Sequence, residues 1–139
     1  MIIGISNKSF AATKVKNLEK GIELRGYISG KEIKFKNGEK QIQEGKAFAI
    51  EAVKKAKPSD KNWKNTKWSI KIGDKDIVGE DNIRVANKPH FGLEALKPGK
   101  TKVTIYVRDT KTNKRYSASV TIKVTAQPIT SDNVEISYD

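Results

Sequence analysis

The sequence predicts an all-β fold, a sandwich of two packed antiparallel sheets, and residues 91–126 provide the main observations. Apolar residues alternate with polar ones in two runs, first at Val103, Ile105 and Val107, then at Ala118, Val120, Ile122 and Val124. A period of two places one side of a strand in a core and the other in solvent. The connector 109–115, DTKTNKR, is polar and rich in turn formers, so the two runs are predicted to form an antiparallel hairpin.

The remaining strands are predicted from shorter signals. Residues 97–100, KPGK, form a sharp turn, because Pro98 fixes its own φ and Gly99 can take a positive one. Upstream, residues 33–53 contain a first strand, a turn at Gly45 and a second alternating strand. Trp68 follows in a third strand. Residues 74–90, DKDIVGEDNIRVANKPH, show no clear strand pattern, so the elements between the third strand and residue 91 stay open.

In order and spacing these segments resemble a bacterial Ig-like domain of the Big (Big_2) type. The motifs that carry the resemblance are IKFKNGEKQIQEGKAFAIEAV at the start, KPSD with NTKWSI in the middle, and ALKPGKTKVTI with YSASVTIKV at the end. The resemblance covers residues 30–126 and departs from the family at residues 74–90. It implies an immunoglobulin-like Greek-key β-sandwich with Trp68 as the strand C tryptophan. Domains of this kind occur in phage virion proteins and bacterial surface proteins.

Three segments follow from this comparison. Residues 1–29 are an N-terminal extension that either adds strands or docks on a neighbour, residues 30–126 are the Ig-like domain, and residues 127–139 are a C-terminal tail. Within the tail, residues 131–139 alternate Val134, Ile136 and Tyr138 as a strand does. Such a strand would either complete its own sheet or pair with the sheet edge of another virion or surface protein.

The charge of the chain points to anionic partners. The net charge is +12, and it divides into +3 for residues 1–29, +12 for residues 30–126 and −3 for residues 127–139. A field of this size favours polyanions such as nucleic acid, teichoic acid, anionic glycans or an acidic capsid surface. The alternative is a lysine-rich surface that only keeps the protein soluble. Since only four of the 28 basic residues are arginine, sequence-specific nucleic-acid binding is not expected.

Enzymatic chemistry finds little support in the sequence. There is no cysteine, and the single histidine, His90, is expected in a loop at a strand entrance. The acidic residues Asp74, Asp76, Glu80 and Asp81 could bind calcium weakly, but they lack the EF-hand spacing and are expected in a solvated loop. No catalytic residue, metal or cofactor is therefore predicted.

The candidate partner-binding residues are Trp63, Lys111, Lys114 and Arg115. Trp63 lies in the loop KNWKNTK, where its ring either stacks on a base or sugar or caps the end of the sandwich. Lys111, Lys114 and Arg115 form the footprint of the basic hairpin.

The sequence thus predicts a noncatalytic structural or binding module, a capsid or tail decoration protein displayed on the exterior of a bacteriophage virion. The alternative is a cell-surface adhesion or spacer module excised from a larger bacterial surface protein. No apolar run approaches the ~20 residues of a membrane span. Residues 1–5 are too short for the apolar region of a signal peptide, so export without such a signal, by lysis, is expected.

Overall fold

The computed structural model describes residues 21–128, apart from the side chains of residues 82–84, and this part of the chain is all-β. Its strands are β1 (Ile22–Ile28), β2 (Lys31–Ile33), β3 (Glu39–Gln43), β4 (Ala47–Lys54), β5 (Thr66–Ile72), β6 (Val78–Arg84), β7 (His90–Ala95), β8 (Gly99–Asp109) and β9 (Arg115–Thr125). Within these residues, no helix has the length and apolar character needed to cross a membrane.

The strands form two sheets with the immunoglobulin arrangement. The five-stranded sheet has the order β2-β1-β4-β7-β6, and the four-stranded sheet has the order β3-β9-β8-β5. The series β1-β4-β7-β6 corresponds to strands A, B, E and D, and β5, β8 and β9 correspond to C, F and G. Neighbours are antiparallel except β3, which runs parallel to β9 from Glu39 opposite Thr121 to Gln43 opposite Thr125. The predicted Ig-like sandwich is therefore confirmed.

The core lies between the two sheets and follows the alternation in the sequence. Every second residue is buried over residues 101–107 of β8 and 120–124 of β9, as the apolar runs predict, whereas Ala118 at the start of the second run is half-buried. The largest fully buried apolar side chains are Phe91, Ile50, Leu93, Ile105, Ile122, Val78 and Val103. They come from both sheets, so the core is one continuous layer. Phe48 is buried with them, and Phe35 and Trp68 are half-buried against this layer.

The turns also agree with the sequence. β8 and β9 are paired from Gly99 opposite Val124 to Arg108 opposite Arg115, which is the predicted hairpin. Gly99 has a φ of +150°, and a Cβ at this position would lie 2.5 Å from the Cδ1 of Ile77. Glycine is thus required at the entry to β8 for both its backbone angle and its lack of a side chain.

The structure adds elements where the sequence left the assignment open. Residues 22–28, within the predicted N-terminal extension, form β1, which pairs with β4 from Ile22 opposite Lys54 to Tyr27 opposite Ala49. The sandwich therefore includes residues before the predicted boundary at Gly30, because β1 supplies part of the sheet. Residues 74–90 contribute β6 and the first residue of β7. The possible strand at 131–139 and the arm before residue 21 lie outside the described residues.

Candidate functional site

Two loops meet at one end of the sandwich. Residues 55–65 join β4 to β5, and residues 110–114 join β8 to β9. The backbone N–H of Thr110 and its hydroxyl both donate to the carbonyl oxygen of Asn65, at 2.7 and 2.9 Å. In immunoglobulin variable domains the loops in these positions form the binding end of the molecule. The fold therefore places both loops where a partner can reach them together.

This end carries most of the net charge of the chain. Residues 54–67 contain six lysines and one aspartate, and residues 108–115 contain four basic residues and one aspartate. These 22 residues, called the basic end below, hold a net charge of +8 out of +12. Apart from half-buried Lys54 and Arg108, their basic side chains are exposed. A concentration of cations at one end attracts anionic partners far more than the same charge spread evenly.

The two aspartates of the basic end are occupied by the loops themselves. Asp60 accepts hydrogen bonds from the backbone N–H of Asn62, at 2.9 Å, and from the Nζ of Lys54, at 3.1 Å. These two bonds lower the pKa of Asp60. Asp109 accepts from the backbone N–H groups of Lys111 and Thr112, at 2.8 and 3.1 Å, and its pKa is lowered by them. Both carboxylates thus shape the loops and interact with nearby cations such as Lys57 and Lys111, but the ten basic residues of this end outnumber the two aspartates.

The candidate residue Trp63 is buried, with 7% of its surface exposed. Its ring meets that of Trp68 edge to face, with centroids 6.5 Å apart and planes at 72°. The Nζ of Lys54 lies 5.2 Å from the centre of the Trp63 ring and also donates to the carbonyl oxygen of Asn62. This placement corresponds to the alternative in which Trp63 caps the end of the sandwich, and its ring is not free to stack on a ligand.

The other candidate residues, Lys111, Lys114 and Arg115, are exposed at the tip and base of the β8–β9 hairpin. The sequence did not predict that the lysines of residues 55–67 would join them. The signal was available, because the loops between strands B and C and between strands F and G share one end of an Ig-like sandwich.

A second polar cluster lies on the outer face of the five-stranded sheet. Glu51 is buried on β4, and its Oε1 accepts hydrogen bonds from the Nδ1 of His90 at 2.8 Å and the Nζ of Lys88 at 3.1 Å. Tyr27 stacks on the His90 ring with centroids 6.2 Å apart. Burial acts to raise the pKa of the Glu51 carboxyl, but the bonds from His90 and Lys88 outweigh it and the pKa is lowered. His90 thus begins β7 and has a structural partner.

Of the four acidic residues expected in a solvated loop, Asp74 and Asp76 lie in the turn before β6, whereas Glu80 and Asp81 lie within β6. Asp74 accepts a hydrogen bond from the backbone N–H of Asp76 at 2.9 Å, and its own N–H donates to the hydroxyl of Thr101 at 2.7 Å. Among residues 21–128 no three histidine, aspartate or glutamate side chains come together as ligands for a metal ion.

Comparisons with known proteins give little to set beside this geometry. No protein-family model matches the chain, and no curated protein sequence matches it. Eight chains of solved structures match. One is the crystal structure of domains 4 and 5 of the S-layer protein SbsC, at 14% identity and a TM-score of 0.38. That match covers 63% of this chain and 47% of the other, so this chain spans about half the length of the structure it matches.

Proposed function

We propose that this chain is a noncatalytic contact module whose Ig-like domain attaches to a polyanionic surface through its basic end. The observation that supports the proposal is the net charge of +8 carried by 22 residues where two loops meet. Loops at the end of a rigid sandwich are the usual place for binding in this fold. Because the ten basic residues there outnumber the two aspartates, exposed lysines remain available to an incoming anion.

The proposal extends to where the module acts. We propose display on the exterior of a bacteriophage particle, as a capsid or tail decoration, on the basis of the resemblance to Big-type domains. The alternative is an adhesion or spacer module of a bacterial surface protein. Intact mass spectrometry of purified particles and of cell-wall extracts separates the two. A species of 15.5 kDa in particles supports the virion role. The sequence found only within a larger wall-attached polypeptide supports the alternative.

Binding through the basic end is tested with polyphosphate of defined length, a polyanion without sugars or bases. The variant carries Lys61→Gln, Lys64→Gln and Lys111→Gln, three exposed side chains of the two loops. We expect the native chain to bind at low ionic strength and the variant to bind roughly tenfold more weakly, since exposed charge pairs contribute modestly and additively. Binding should weaken as salt is raised to ~0.15 M, where the screening length is ~8 Å.

A charge-matched control distinguishes a site from general attraction. Lys31, Lys46 and Lys97 are exposed at the opposite end of the sandwich, where Lys31 begins β2 and the other two lie in connecting loops. The triple variant Lys31→Gln, Lys46→Gln and Lys97→Gln removes the same charge and should keep near-native affinity. Equal losses in the two variants would mean that polyphosphate responds only to net charge, and the proposed binding end would be rejected.

A further inference from the structure

The outer face of the four-stranded sheet carries a row of three cations in register. Lys67 on β5 is paired with Arg108 on β8, and Arg108 is paired with Arg115 on β9. Neighbouring strands lie about 4.8 Å apart, so the row spans about 10 Å. Like charges directly opposite each other destabilise a sheet. Within residues 21–128 no carboxylate pairs with any of the three, and the one side-chain partner of Arg108 is Asn113, at 3.5 Å.

The five-stranded sheet of the same molecule shows the opposite arrangement. There Arg25 on β1 is paired with Glu51 on β4, and Glu51 is paired with His90 on β7. The Glu51 carboxylate thus lies between a cation and a histidine that bonds to it at 2.8 Å, and like charges are not opposed there. A second pair of like charges, Lys100 opposite Lys123, lies at the other end of β8 and β9, but there the carboxylate of Glu39 is 3.4 Å from the Nζ of Lys100. The row of Lys67, Arg108 and Arg115 has no such carboxylate among the described residues. Its repulsion would be relieved by an anion lying across it.

The rows beside it are suited to a sugar chain. Ser69, Tyr106 and Ser117 form the next row on the same face. Tyr106 is exposed, with 40% of its surface accessible to solvent. The third row is Lys71, Thr104 and Ser119, in which the two hydroxyls lie 2.7 Å apart. An exposed aromatic ring offers a flat apolar surface, and hydroxyls donate to and accept from other hydroxyls. The Tyr106 ring thus has serine hydroxyls beside it in its own row and cations in the rows on either side, Arg108 in one and Lys71 in the other.

We propose that this outer face binds an anionic glycopolymer, a chain of sugar or polyol units with a phosphate or carboxylate in each repeat. The inference rests on the proposed polyanion-binding function and names its ligand class. The polymer lies along β8, with anionic groups on the Lys67–Arg108–Arg115 row and on Lys71, and a sugar ring over Tyr106. Nucleic acid fits the face less well, because single-stranded binding uses several stacking rings in succession. The described face offers only Tyr106, since Trp63 is buried.

The test measures affinity of the full chain for poly(glycerol phosphate) teichoic acid and polygalacturonate, with neutral dextran and single-stranded oligothymidylate beside them. The two anionic polymers distinguish phosphate from carboxylate repeats. Arg108→Gln with Arg115→Gln should weaken the preferred anionic polymer about tenfold. Tyr106→Ala should weaken it about fivefold while leaving polyphosphate binding unchanged, because polyphosphate has no ring to stack. The control, Lys31→Gln with Lys97→Gln, removes two charges away from this face.

Amide chemical shifts provide a second measurement that requires no variant. Addition of the preferred polymer should shift the amides of Ser69, Thr104, Tyr106 and Ser117 more than those of residues 22–28. Native affinity in the Tyr106 and arginine variants, or shifts confined to residues 54–65, would overturn the inference and leave the two loops of the basic end, residues 55–65 and 110–114, as the proposed contact. Oligothymidylate binding as tight as either glycopolymer would also overturn it. If the chain binds no polyanion, polyphosphate included, the proposed function fails as well.

Discussion

Replacing Trp63 by alanine separates its two possible roles. The side chain is buried and contacts Trp68 edge to face, with Lys54 over its ring. A buried tryptophan removes up to about 250 Å² from water. At about 25 cal/mol per Å², this corresponds to roughly 6 kcal/mol as an upper value. Since part of the cavity at the end of a sandwich can collapse, we expect Trp63→Ala to lower the free energy of unfolding by about 3 kcal/mol.

The assay is urea unfolding followed by fluorescence, with calorimetry for the melting temperature. A loss of about 3 kcal/mol in a domain of this size should lower the melting temperature by roughly 10–13 °C. Tyr106→Ala is the matched aromatic control, because the Tyr106 ring is exposed on β8. Its effect should stay within about 0.5 kcal/mol. The double variant with Trp68→Ala should show coupling of about 0.5–1.5 kcal/mol from the edge-to-face contact.

A loss below about 1 kcal/mol for Trp63→Ala, with polyphosphate binding abolished, would refute the structural role and restore Trp63 as a ligand-stacking residue. We expect instead a loss of about 3 kcal/mol in stability with polyphosphate binding retained, because the folded variant keeps its exposed lysines. Some reduction in affinity is compatible with the structural role, because Trp63 supports the loop that holds Lys61 and Lys64.

Two further predictions concern stability. Glu51→Gln should lower the free energy of unfolding by about 1 kcal/mol at pH 7. Because the folded-state pKa of Glu51 lies below its ordinary 4.5, this stability difference is present above pH 4.5 and shrinks as the pH falls through the lowered value. Denaturant titrations at several pH values measure the difference, and a difference that does not change with pH would contradict the prediction. Gly99→Ala should lower the free energy of unfolding by about 2 kcal/mol, since its Cβ would lie 2.5 Å from Ile77. Gly45→Ala, at a φ of +88° in open space, isolates the backbone cost, and an equal loss at both positions would exclude the clash.

The sequence predicted the fold well where one strand face is buried and the other is solvated. Burial alternates over residues 101–107 of β8 and residues 120–124 of β9, and the positions of Val103, Ile105 and Ile122 follow from that period. β1 was harder to recognise because a single buried residue, Ile22, begins it and Gly26 replaces an inward side chain. β6 has an irregular register between Glu80 and Arg84, so no period of two was visible there.

The candidate site was predicted only in part, for a different physical reason. Lys111, Lys114 and Arg115 are neighbours in sequence, so their charge was evident. Lys61 and Lys64 join them through the hydrogen bonds between Thr110 and Asn65, which link residues 45 positions apart. The cross-strand register also cannot be predicted from the amino-acid composition. Tyr106 and Arg108 acquire their neighbours only when β5, β8 and β9 are aligned, and a shift of one residue would turn each side chain to the other face.

The distribution of charge favours a binding surface over a coating that only maintains solubility. A solubility coating needs net charge, but it does not need like charges in register, which destabilise the sheet that carries them. This chain places Glu51 between Arg25 and His90 on one sheet and brings Lys67, Arg108 and Arg115 together on the other. All three residues of the second row belong to the basic end, so the loops of that end and the sheet face form one continuous cationic surface. An approaching polyanion would therefore be oriented toward that surface before contact, and its association rate should fall steeply as salt is added.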